Sequence, residues 1–351
     1  MEQRTRLPRK TRQNTPLVTV CVPVYNSERF LKQALDSILR QTYRNIEVIV
    51  LDNCSTDGTP RIIRKYRDPR IRYVRHKKNI GGYPNFDAGI SMAKGDYIAI
   101  YHGDDVYDPS IVEKELSVIT KHPEVSCVFA SAILIDEKGK RIGRWDIPPE
   151  LGGRPITAIE AYKYILQTFR SPFLSPSCFG RAEAYKKAGH FATRFREAGD
   201  VDMYLRLTAT GAAYLLSLPL VRYRHSGKQW SICYSTTYTK PNELFDILDA
   251  RLPSFKGEMP RDIINAYEAH RDWDYTIRAI NMLARESITK KDIAAARAYL
   301  RRSFTLRRIK RLHKEFISFG VTAAMLIAAH TGLGSRLACA INRGRHRRHV
   351  S

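Results

Sequence analysis

The chain has 351 residues, 43% of them apolar and 27% charged. That is enough to bury a core without disulfide or metal staples, and too charged for a multi-span membrane protein. Its net charge is +24, from 59 Lys and Arg against 35 Asp and Glu, while ordinary Gly and Pro contents exclude collagen-like and low-complexity chains.

Residues 1–16 hold five basic residues against one Glu and read as a disordered basic arm. They lack an apolar core, so they are not a secretory signal. VTVCVPVY (18–25) is β-branched, short and bounded by turn residues, and predicts a buried strand. Ser27 is placed to cap a helix with Glu28 in its first turn. Phe30, Leu31, Ala34, Leu35, Ile38 and Leu39 then recur at helical spacing. IEVIVLD (46–52) is the next strand and NCSTDGTP the loop after it. A helix near 59–67, a strand near 71–75, a helix near 84–94 and the strand DYIAIY (96–101) follow. A helix over 111–121 and a strand over 125–135 come next. From 242 the pattern is helical, over 242–251, 260–287 and 291–304.

Strands alternating with helices over the first hundred residues predict a parallel, doubly wound α/β sheet. Such sheets bind ligands beyond the carboxyl ends of their strands. The residues at those ends are Tyr25-Asn26, Asp52-Asn53 and His102-Gly103-Asp104-Asp105. All are polar and two sets carry carboxylates, which suits a nucleotide and a hard divalent cation. GxGxxG, GxxxxGK[ST] and GxSxG are absent, against dehydrogenase, P-loop and α/β-hydrolase readings. The six cysteines form no CxxC or CxH pair, which argues against zinc and for reduced thiols in a cytosol.

Residues 316–335, FISFGVTAAMLIAAHTGLGS, carry no formal charge. Polar residues and glycines dilute them below a good membrane span. Residues 290–351 hold fifteen basic residues against two acidic ones. An interfacial helix held by apolar burial and lipid charge is the expectation, with a soluble packing helix and a true span as alternatives. The basic ends also fit plain solvation.

The run VTVCVPVYNSERFLKQALDSILRQTYRNIEVIVLDNCSTDGT (18–59) resembles the opening of family 2 glycosyltransferases of the GT-A fold, of the kind that builds bacterial surface glycans. The resemblance continues through NIG (79–81), NFDAGISMAKGDYI (85–98) and HGDD (102–105). It resumes at AGDVDMYLRL (198–207) and YRHSG (223–227). It implies an α/β GT-A fold, Rossmann-like, with a mostly parallel sheet, flanking helices and a helical C-terminal extension. The corresponding domains are a GT-A domain over 17–235, with a nucleotide-sugar half (17–108) and an acceptor half (109–235), and a basic extension over 236–351.

By the same resemblance Pro23, Tyr25, Asn26, Asp52, Asp57, Asn85 and Asp104 line the donor site. Asp105 and His225 hold Mg²⁺ or Mn²⁺, and Asp200 is the general base. Where the family carries acidic residues this chain has His102 and Gly199, and it has Phe86-Asp87 where many relatives carry Arg-Asn. Local roles stand beside these: turn chemistry for Asp52 and Asp57, helix stabilisation for the Asp104-Asp105 pair, a helix cap for Asp200, and an ion pair between Asp202 and Arg206.

The implied activity is inverting transfer of a sugar from a nucleotide sugar, with UDP expected, to a glycan or lipid-linked acceptor. It would take place on the cytoplasmic face of the plasma membrane, held there by an anionic membrane surface. A donor-binding domain without catalysis is the second reading. No nucleic-acid module with interleaved aromatics is present, so no nucleic-acid partner is expected. The QxxRW pattern of processive synthases is absent.

Overall fold

The computed structural model describes residues 15–226, 243–255, 257–283 and 290–303. These fall into two compact units. The first takes the described residues up to Ala158, Phe173–Thr193 and Met203–Arg224; the second takes Ile159–Pro172, Arg194–Asp202 and the described residues from His225 onward.

The first unit is built on one sheet. Strands β1 (Val18–Val24), β2 (Ile46–Asp52), β3 (Ile71–Arg75) and β4 (Tyr97–Ile100) run parallel in the order β3-β2-β1-β4. Both faces of β1 and β2 are covered: Val18, Val20, Val22, Val48, Ile49, Val50 and Leu51 are fully buried, and the buried Thr19 donates its hydroxyl to Glu47. That is why they read as unbroken apolar runs rather than alternating ones. The crossovers are helices α1 (Leu31–Leu39), α2 (Thr59–Ile63) and α3 (Gly82–Met92).

β2, β3, α4 (Ile111–Lys121) and β6 (Val125–Ile135) have the bounds their sequence patterns predict. α1 differs at its start. Ser27 does not cap it with its side chain; its carbonyl accepts from Phe30 N and Leu31 N at 3.2 and 3.0 Å. Its Oγ donates instead to the Tyr25 carbonyl at 3.4 Å, and its own N–H donates to Thr59 Oγ1 of α2 at 2.8 Å.

Beyond β4 the sheet becomes mixed. Its order continues β4-β9-β6-β10-β5, with β5 (Val106–Tyr107), β9 (Cys178–Arg181) and β10 (Ala212–Arg224). β9 lies antiparallel to both β4 and β6, and β6 and β10 are parallel. β7 (Arg141–Trp145) pairs with β6, and β8 (Pro155–Ile156) with β10. Helices α5 (Ala158–Thr168), α6 (Ala182–Ala188) and α7 (Gly199–Ala209) complete this stretch.

The second unit is helical, with α8 (Glu243–Phe255), α9 (Arg261–Leu283) and α10 (Lys290–Ser303) joining most of α5. Aromatic contacts hold it together: Phe169 stacks on His270 at 3.9 Å and Tyr275 on Tyr299 at 5.7 Å. Tyr162 donates to the Leu248 carbonyl at 2.6 Å, and Arg302 pairs with Asp246 at 2.6 Å. Among the described residues no helix is long and apolar enough to cross a membrane. Residues 1–14 of the basic arm, residues 227–238 and the segment 316–335 lie outside the described residues.

Under the sheet, Glu115 on α4 is fully buried. Its Oε2 accepts from Tyr101 Oη at 2.7 Å and its Oε1 has no hydrogen-bond partner. Burial pushes its carboxyl well above the usual 4.5, opposed by the Tyr101 hydrogen bond. The folded state therefore holds a proton that the unfolded chain releases, and stability falls as pH rises above about 4.5, by up to about 1.4 kcal/mol per pH unit. Glu115→Gln is expected to raise stability more at pH 8 than at pH 4.5. Urea unfolding at both pH values tests this, and an equal effect at the two would refute it.

Candidate active site

The carboxyl ends of β1, β2 and β4 open on the same edge of the sheet, because the strands are parallel and neighbours. At the end of β1, Pro23 is partly buried and Tyr25 is half exposed. Asn26 has φ of 48°, a left-handed conformation that Asn tolerates better than most residues. Its N–H donates to Ser55 Oγ at 3.0 Å, and its Oδ1 accepts from Thr56 N at 2.8 Å. The first and second strand-end loops are thereby joined.

Asp52 ends β2 with no exposed surface. Its Oδ1 accepts from Ser55 N at 2.8 Å; its Oδ2 accepts from Tyr73 Oη at 2.7 Å and lies 3.3 Å from Arg75 Nε. Asp57 accepts from Glu28 N at 3.1 Å and Thr59 N at 2.9 Å. Partial burial works to raise its carboxyl, but the hydrogen bonds from Thr59 and Glu28 outweigh it and hold it below the usual range. Asn85 is buried: its Nδ2 donates to the Leu51 carbonyl at 3.0 Å, and its Oδ1 meets His76 Nε2 at 2.9 Å. Asn53 ties the same loop to Asn79, Ile80 and Gly81 at 2.8–3.0 Å. Gly81, with φ of 92°, makes the turn into α3, and a side chain there would be strained.

After β4 the HGDD turn brings a ring nitrogen of His102 and one carboxylate oxygen each of Asp104 and Asp105 within 4.8 Å of one another. Gly103 lets the turn lie against β1, since a Cβ there would stand 2.7 Å from Val24 Cγ1. Asp105 is fully buried; its Oδ1 accepts from the Arg224 backbone N–H at 2.7 Å. Its Oδ2 and His102 Nε2 are both buried without a hydrogen-bond partner. Burial, then the neighbouring Asp104 charge, push the Asp105 carboxyl up, against Arg224. Burial pushes the His102 imidazole down, against Asp104, toward the neutral form that can bind a metal. Two buried, unpartnered groups that can each offer a lone pair, beside a second carboxylate, fit a divalent cation.

Arg224, at the end of β10, braces this turn. Its guanidinium is buried and donates to the carbonyls of Asp104 at 2.8 Å and Asp136 at 3.0 Å, and to Gln33 Oε1 at 2.7 Å, over the Phe30 ring. No sequence pattern points to it, because its partners come from three distant segments. His102 had a legible signal in its place within the motif, at a position where the family is acidic.

His225 follows Arg224 directly and belongs to the second unit; it is not part of the His102–Asp104–Asp105 cluster. Asp200 stands in the first turn of α7, where its Oδ1 accepts from Val201 N at 2.8 Å. Asp202 is buried and pairs with Arg251 at 2.7 Å. Arg206, the partner suggested by spacing, reaches the carbonyls of Ala188 and His190.

Residues 19–189 match the family model Glycosyl transferase family 2. EpsE of Bacillus subtilis (strain 168), which carries the name of a glycosyltransferase, is 30% identical over 275 residues, covering 73% of this chain and 94% of EpsE. Two longer Rickettsia relatives are matched over only 31% and 35% of their length. Among solved structures, TarS 1–349 of S. aureus in complex with UDP-GlcNAc superposes with a TM-score of 0.61 at 17% identity, over 93% of this chain and 92% of TarS 1–349. The mannosyltransferase PcManGT of Pyrobaculum calidifontis, with GDP-Man and Mn²⁺, gives 0.52 at 18% identity, over 94% of this chain and 87% of PcManGT. At these identities the solved structures speak for the fold.

Proposed function

The chain belongs to glycosyl transferase family 2, and from that membership we propose that it transfers a sugar, with inversion, from a UDP-linked donor to a glycan or lipid-linked acceptor of a surface polysaccharide. The His102–Asp104–Asp105 cluster at the strand ends, with Asp105 fully buried, carries this reading. A nucleotide diphosphate leaves with two negative charges to be neutralised, and a divalent ion there supplies that charge when bound. The UDP-GlcNAc in TarS and the Mn²⁺ in PcManGT support this choice of donor and ion.

Asp105 and His225 are the proposed ligands of Mg²⁺ or Mn²⁺. Tyr25, Asn26 and Asp104 keep exposed or partly exposed surface for donor contacts. Asp52, Asp57 and Asn85 are proposed to take part chiefly by holding the strand-end loops in shape, since their polar atoms have internal partners; Pro23 stiffens the end of β1. Asp200 is the proposed base for the acceptor hydroxyl. A single base and direct displacement give inversion at the anomeric carbon. The donor and acceptor halves divide near residue 108 in this reading.

The test is a panel of UDP-glucose, UDP-galactose, UDP-N-acetylglucosamine, GDP-mannose and dTDP-rhamnose with Mn²⁺ or Mg²⁺, read by diphosphate release and thermal shift. One UDP-sugar giving both is the expected result. Donor-dependent stabilisation without release would favour a binding domain, and neither response would refute the reading.

The basic ends support a place on the cytoplasmic face of the plasma membrane, against anionic lipid. Co-sedimentation with phosphatidylglycerol vesicles at low salt, lost at high salt, is expected. No co-sedimentation at low salt would overturn that placement.

A further inference from the structure

We propose that His102 is a direct ligand of the metal, and that its imidazole makes the site prefer a divalent transition ion such as Mn²⁺ over Mg²⁺. This rests on the reading of the HGDD turn as the metal site and adds to it a ligand and a selectivity.

The geometry comes first. His102 Nδ1 stands 4.0 Å from Asp105 Oδ2, within the span of about 4.2 Å that two ligands of one ion cover when each bond is about 2.1 Å. Asp105 Oδ2 is buried in a side chain with no exposed surface and has no hydrogen-bond partner; His102 Nε2 is also buried and unpartnered. At 4.0 Å the separation of His102 Nδ1 from Asp105 Oδ2 is too long for a hydrogen bond, so the Asp105 oxygen stays unpartnered beside the ring.

The surroundings suit a neutral imidazole. The Phe86 ring lies 6.0 Å from the His102 ring at 26°, and Phe191 packs edge-on to Phe86 at 5.4 Å. Phe86 and His102 replace an Arg and an acidic residue of the family pattern, and the structure shows that the two replacements touch. The Phe86 ring thus forms an aromatic wall beside the His102 imidazole. The HGDD turn thereby offers the ion a nitrogen beside its carboxylates. Mg²⁺ is held by oxygen and keeps its waters, whereas imidazole favours first-row transition ions.

The test uses the full-length protein with Mn²⁺ alone and with Mn²⁺ plus UDP, read by electron spin-echo envelope modulation and by competition with Mg²⁺. The wild type is expected to show directly bound ¹⁴N coupling. His102→Gln weakens it, His225→Gln leaves the share that comes from His102, and the double variant abolishes it. His102→Asp, a second variant that supplies an oxygen, shifts the Mn²⁺-to-Mg²⁺ affinity ratio toward Mg²⁺ by about tenfold or more. Thermal unfolding checks that both His102 variants fold. Coupling unchanged in His102→Gln overturns the proposal, as does coupling lost only in His225→Gln. Mn²⁺ bound with no nitrogen coupling overturns it too, while sparing the metal site. Failure of Mn²⁺ to bind, with or without UDP, removes both.

Discussion

Asp200→Asn is expected to lower turnover by about 10²–10⁴-fold while leaving the affinity for the donor sugar nucleotide within about twofold. The substitution keeps the shape of the side chain and its oxygen. The hydrogen bond that Asp200 Oδ1 accepts from Val201 N, in the first turn of α7, survives in the carboxamide. What is lost is the ability to take a proton. The two roles of this residue, opening a helix and accepting the acceptor's proton, thus separate in one variant. Steady-state kinetics with saturating donor and acceptor give kcat, equilibrium binding gives the donor Kd, and thermal unfolding reports on the helix. A fall in stability that matches the fall in kcat would assign Asp200 a structural role alone. An unchanged kcat would move the base elsewhere.

Asp105→Asn is expected to abolish tight Mn²⁺ binding and to cost at least about 10²-fold in turnover, with the unliganded protein changing in stability by no more than about 1 kcal/mol. The reasoning turns on the two oxygens. Oδ1 accepts from the Arg224 N–H, and an Asn oxygen can do the same. Oδ2 is buried and has no hydrogen-bond partner. Replacing it by an amide removes a carboxylate from a buried site, which offsets what the new unpaired N–H costs. A residue kept for structure would behave in the opposite way: the variant would lose stability and keep its metal. Isothermal titration with Mn²⁺ and urea unfolding distinguish the two.

Local pattern carried the fold a long way. β2, β3, α4 and β6 were legible because each is an apolar run or stripe bounded by turn residues, and such signals need no distant partner. β9 was not: it has four residues and gains its place antiparallel between β4 and β6 from pairing with residues 97–100 and 127–128. The start of α1 was misread for a related reason. Ser27 has the chemistry of a cap, but its Oγ turns to the Tyr25 carbonyl while its N–H is held by Thr59, 32 residues away.

The same division runs through the candidate site. The order of strands and polar strand-end residues followed from sequence alone, since a parallel sheet delivers the ends of β1, β2 and β4 to one edge whatever surrounds them. Which of those polar groups keep free valence was decided only by the tertiary structure. Asp52 spends its oxygens on Ser55, Tyr73 and Arg75, and Asn85 spends its amide on Leu51 and His76. Asp105 and His102 keep one buried atom each. The sequence by itself determined the family, the sheet and the residue types at its edge, because those depend on short-range pattern and order. The tertiary structure decided the assignment of each lone pair and proton, because the partners that consume or spare them arrive from up to 119 residues away, as Arg224 does at Asp105.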